Sequence, residues 1–123
     1  MKIAISSTGK TLEEEIDPRF GRCAYFLIVN IENKEIKEVK AIENTAKAQS
    51  GGAGITAGEI VANQDVKAII TTNLGPRAFE IFDQFKIKVY SGQGKIKDVV
   101  NEFIKGNLKE LSNANGPQHQ GLN

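Results

Sequence analysis

A chain of 123 residues has room for one domain with one core. Its 40% hydrophobic and 25% charged residues fall in the ordinary globular range and exclude a disordered chain, and no apolar run approaches a membrane span. A net charge of +1 argues against nonspecific nucleic-acid binding, which needs a basic face. The N-terminus, Met1-Lys2-Ile3-Ala4-Ile5-Ser6, has too short an apolar stretch and no cleavage site for a signal peptide, so a cytoplasmic protein is expected. The single cysteine, Cys23, can form neither an intramolecular disulfide nor a cysteine-only metal site within one chain.

Residues 2–6 read as a short first strand. Residues 25–31, Tyr-Phe-Leu-Ile-Val-Asn-Ile, form the nearly continuous apolar run of a strand buried on both faces. A turn at 32–34 leads to a third strand over 36–42, whose Lys37, Glu38 and Lys40 suit a sheet edge. A first helix spans 52–63, with Ala53, Ala57, Ile60 and Val61 inward. Gly54 and Gly58 cost this helix stability, so close packing on the sheet is their expected use. A fourth strand covers 66–71. The second helix starts at Gly75-Pro76, proline being favoured in the first turn, and turns Ala78, Ile81, Phe82 and Phe85 inward. A fifth strand at 87–90 and a third helix over 95–105, closed by Gly106, complete a domain over residues 1–108. Residues 109–123, which include His119, are expected to be a flexible tail.

The element order β-β-β-α-β-α-β-α predicts an α/β fold with a five-stranded mixed sheet. Strands joined without a crossover helix should run antiparallel, and strands joined through helices parallel. The consistent order is 3-2-1-4-5 with strand 2 antiparallel. Strands 1 and 4 then diverge at a switch point, where open α/β sheets bind ligands. Two helix N-termini face that rim, and each offers unpaired amides and a positive dipole end. Gly51, Gly52, Gly54 and Gly75 allow close approach to the backbone. Asn73 lies at the exit of strand 4, and Arg19, Arg22 and Arg77 add positive charge. The expected ligand is an anion.

Gly51-Gly52-Ala53-Gly54 matches neither a dinucleotide fingerprint nor a P-loop, and a permissive loop would also explain it. Cys23 reads either as a small core hydrophobe or as a metal ligand whose pKa Arg22 lowers. This strand order also occurs in ribonuclease H-like nucleases, which hold metal ions with carboxylates on strands 1 and 4. Neither strand carries one in this chain, and the only histidine lies in the tail, which leaves no Ser-His-Asp set. No catalytic residue is assigned.

Four segments together resemble the dinitrogenase iron–molybdenum cofactor biosynthesis family. They are Arg19-Phe20-Gly21-Arg22-Cys23-Ala24-Tyr25-Phe26, Gly51-Gly52-Ala53-Gly54, Asn73-Leu74-Gly75-Pro76-Arg77-Ala78-Phe79 and Gly92-Gln93-Gly94-Lys95-Ile96. The resemblance covers about residues 1–108 and implies a three-layer ribonuclease H-like fold without nuclease activity. It also implies a nitrogenase accessory-like role: non-enzymatic binding, carrying or scaffolding of an iron–sulfur or iron–molybdenum-type cluster. Nitrogen-fixation members often carry histidine where this chain has Arg19 and Arg22. Cys23 is then the expected metal ligand. Arg19, Arg22, Gly51, Gly52, Gly54, Asn73, Gly75 and Arg77 are the other expected cluster-binding residues. The expected partners are the cluster cargo and its donor or acceptor proteins, with neither nucleic acid nor membrane, on a monomer or weak homo-oligomer. A second reading places a phosphate-type anion at the same rim, in a sensor or interaction module.

Overall fold

The structure is a computed structural model, in which residues 1–113 are described. Among them are the strands β1 (Lys2–Ser7), β2 (Tyr25–Glu32), β3 (Glu35–Glu43), β4 (Ala68–Thr71), β5 (Lys88–Ser91) and β6 (Lys109–Leu111). The helices are α1 (Ala53–Ala62), α2 (Pro76–Gln84) and α3 (Ile96–Ile104). Two short 3-10 turns, Phe20–Arg22 and Thr45–Ala48, lie in the connections from β1 to β2 and from β3 to α1.

The sheet order is β3-β2-β1-β4-β5-β6. β2 is antiparallel to β1 and β3, and β4 is parallel to β1 and β5, as expected. The strand count is corrected from five to six. β6 pairs antiparallel with β5, Leu111 opposite Val89 and Lys109 opposite Ser91. Its three residues fall in the stretch assigned to the tail, too short for alternation to mark them as a strand. The rest of the expected tail from residue 114, with His119, lies outside the described residues.

The sheet separates two apolar clusters. Ala57 and Val61 of α1 and Ala78 and Phe82 of α2 pack with Ala4, Phe26, Ile28 and Ile69. Ile96, Val99 and Val100 of α3 pack with Ile3, Ile5, Leu27 and Ile70. Alternate residues of β1 thus supply both faces, as the pleat requires. Burial of each large side chain such as Phe82 contributes about 1.5–3 kcal/mol.

Two packing expectations are corrected. Phe85 lies just beyond α2 and is 59% exposed, because the helix ends at Gln84 and the chain turns before the residue can face inward. Gly58 packs against the neighbouring helix rather than the sheet, since a Cβ there would lie 3.2 Å from Ile81 Cδ1. Among the described residues, no helix is long and apolar enough to cross a membrane.

Candidate functional site: a rim at the sheet switch point

The C-terminal ends of β1 and β4 are tied by buried hydroxyls, with Ser6 Oγ 2.8 Å from Thr71 Oγ1. Ser6 also fixes the next loop: its Oγ donates to the Asp17 carbonyl at 2.9 Å, and the Asp17 N–H donates to the Ser6 carbonyl at 3.0 Å. That loop then runs beside the exit of β4, where Arg19 forms a parallel bridge with Asn73. Phe20 anchors it from below. Its ring lies 5.2 Å from Phe26 and 5.6 Å from Phe82, the second pair edge-on, as aromatic quadrupoles favour. Gly21 then meets α1 so closely that a Cβ would lie 3.0 Å from Gly54 N and 3.2 Å from the Ala53 carbonyl carbon. Only glycine fits that approach without backbone movement.

A second segment, 44–52, is stapled to the first. The buried Asn44 side chain donates to the Cys23 carbonyl at 2.9 Å and the Gly21 carbonyl at 3.2 Å, and accepts from the Ala46 N–H at 3.1 Å. Arg22 Nη1 donates to the Lys47 carbonyl at 2.8 Å and to the Gln49 carbonyl. The chain then passes exposed Gly51 and Gly52 into α1, with Gly52 in the left-handed region at φ 72°.

The helix N-termini differ in a way that matters for ligands. The first amides of α3 are taken: Ile96 N–H donates to the Glu14 carbonyl at 2.9 Å and Lys97 N–H to the Leu12 carbonyl at 3.0 Å. No side chain caps α1 at Gly52 or α2 at Gly75. An anion at either end gains about 0.3–1 kcal/mol near the surface. Arg77, in the first turn of α2, is exposed and shares a groove with Ile55 of α1, Glu80 and Asp83.

Arg19 is exposed and ion-paired with buried Asp17. Hydrogen bonding to Asp17, and then its charge, hold the Arg19 guanidinium above its ordinary pKa. Arg22 is exposed as well, although its Nη1 serves the loop carbonyls.

Cys23 departs from expectation. It is fully buried in the cluster with Phe20, Phe26 and Ala46. Burial pushes its thiol up to about 12; hydrogen bonding with the Ser7 backbone opposes this, the Asp17 charge adds to it, and Asn44 also opposes. The expected lowering by Arg22 is therefore corrected. The thiol is protonated at neutral pH and sealed beneath the rim, so it presents no thiolate to a ligand there. Among the described residues, no group of three or more His, Cys, Asp and Glu could hold a metal ion.

The structure thus joins Arg19 to Asn73, Arg22 to the segment that leads into Gly51 and Gly52, and the Gly21 backbone to Gly54. Gly75 and Arg77 stand at the start of α2, with Arg77 beside Ile55 of α1, and Cys23 is buried. The sequence reading missed Asn44 and the Ser6–Thr71 pair. Asp17-Pro18-Arg19 carried a usable signal, an acid two residues before an arginine in a tight loop; Asn44 carried none.

These features define a class: a small three-layer α/β protein with exposed arginines and two helix N-termini without side-chain caps at its sheet switch point. The chain belongs to the dinitrogenase iron-molybdenum cofactor family, whose model matches residues 1–106. An uncharacterized protein of Methanocaldococcus jannaschii is 41% identical over 112 residues, which is 90% of this chain and 92% of that protein. The apo form of the orange protein from Desulfovibrio gigas is similar in structure, with TM-score 0.84 and 30% identity, over 94% of this chain and 96% of that one. A proposed NifB protein from Thermotoga gives TM-score 0.78 and 31% identity, over 94% of this chain and 97% of that one.

Proposed function

We propose that this protein is an accessory of metallocluster assembly that binds and carries an anionic iron–sulfur or iron–molybdenum-type cluster. The observation that carries the reading is the pair of uncapped helix N-termini, α1 and α2, beside Arg19, Arg22 and Arg77. Membership of the dinitrogenase iron-molybdenum cofactor family and likeness to a protein described in its apo form support it. Charge and backbone amides hold the cargo, which brings its own sulfide or thiol ligands. The buried thiol of Cys23 packs beneath the site rather than bonding to the cluster. Donor and acceptor proteins for the cluster would complete the cycle.

The fold is read as ribonuclease H-like. With no carboxylate on β1 or β4, it lacks the acids with which such nucleases hold metal ions, which supports binding rather than hydrolysis. The test is reconstitution with iron and sulfide without oxygen. The reading expects a coloured protein with bound iron that is shed as sodium chloride is raised, because screening weakens an electrostatic site. A colourless protein that inorganic phosphate stabilises against heat would favour the phosphate-type reading instead.

A further inference from the structure

Asp17 and Arg19 form an asymmetric pair: the carboxylate side chain is 3% exposed and the guanidinium 70% exposed. Asp17 Oδ1 accepts from the Arg19 backbone N–H at 2.9 Å and from Nε at 3.1 Å, while Oδ2 accepts from Nη2 at 3.0 Å. Side-on pairing of this kind occupies one edge of the guanidinium and leaves Nη1 turned away from the carboxylate. The backbone of Asp17 is fixed separately, by Ser6, so the carboxylate cannot follow its partner outward. The part free to move is the Arg19 side chain.

We propose that Asp17 is a release residue: it competes with the bound anion for Arg19 and so keeps the affinity of the rim low enough for cargo to be handed on. This rests on the anion-carrier reading above. Before binding, Arg19 lies on Asp17. An anion at the rim draws the guanidinium away and leaves a buried carboxylate without its partner, which is costly. That cost is returned when the anion leaves. A carrier whose arginines were all unopposed would bind more tightly and deliver more slowly.

The test loads the protein with iron and sulfide without oxygen and times iron loss to a chelator. Asp17→Asn keeps an acceptor for the Arg19 N–H and removes the charge. The substitution weakens the charge-assisted pairing that competes with the anion for Arg19, and should lengthen the iron half-life about tenfold. In an Arg19→Gln background the same substitution should change it by less than about twofold, because the competition has gone. A second measurement needs no variant: the Arg19 Nε–H signal of the wild type, followed by NMR during titration with molybdate, should shift and exchange faster as it leaves Asp17. An equal or shorter half-life in Asp17→Asn, an undiminished gain without Arg19, or an Nε–H signal unmoved by bound molybdate would overturn the proposal while leaving the carrier reading intact. Failure of the wild type to take up either iron or molybdate would overturn both.

Discussion

Gly21 stands so close to Gly54 in the first turn of α1 that an added Cβ would lie 3.0 Å from its backbone nitrogen, tighter than side chains ordinarily pack. This contact sets the rim, since it brings the arginine-bearing loop onto the N-terminus of the helix that follows the glycine-rich segment.

Gly21→Ala is therefore expected to destabilise the fold by about 1–3 kcal/mol, because the atoms it meets are backbone and cannot turn aside. Gly51→Ala serves as the control. A Cβ at Gly51 meets nothing within 4 Å, so its stability should change by no more than about 0.5 kcal/mol. Urea unfolding of the two variants measures both values.

Asn44→Ala removes the side chain that serves the carbonyls of Gly21 and Cys23 and the Ala46 amide. Buried groups left without partners cost about 1–3 kcal/mol each, and water entering the gap should recover part of that. The variant should also open the cover over Cys23. Its thiol should then react with a thiol reagent at pH 8 many times faster than that of the native wild type, which should react only as fast as the protein opens. A thiol that reacts rapidly in the native wild type would contradict the burial of Cys23.

The raised thiol pKa fixes a sign for pH dependence. In the unfolded chain the thiol ionises near its ordinary value of 9.0, while in the fold it stays protonated to about 12. Between those values the unfolded state binds fewer protons, so stability falls as pH rises. The slope attributable to Cys23 approaches about 1.4 kcal/mol per pH unit inside that window, and below it the contribution is fully present. Comparing denaturant midpoints of wild type and Cys23→Ala across pH 8–11 isolates this slope, which the variant should lack.

The order and direction of the first five strands were legible because strand-length apolar runs, a short turn at 32–34 and crossover helices leave few topologies. The edge position of β3 was legible in Lys37, Glu38 and Lys40. β6 was not, since three residues carry no period. Nor was the exposure of Phe85, which depends on where α2 stops rather than on its spacing. At the site, the glycines and arginines announced themselves by type. The state of Cys23 did not: one residue's offset decides whether the thiol beside Arg22 faces solvent or Phe26, and only the packed core settles that.

The central claim is that charge and backbone amides, not a protein thiolate, hold the cargo. The most direct measurement is iron bound per chain after anaerobic reconstitution of wild type, Cys23→Ser and Arg77→Glu, each first shown to be folded by its melting curve. The account predicts equal iron on wild type and Cys23→Ser, and a large loss on Arg77→Glu, whose reversed charge stands at an uncapped helix start. Loss of iron from Cys23→Ser, with Arg77→Glu fully loaded, would contradict it.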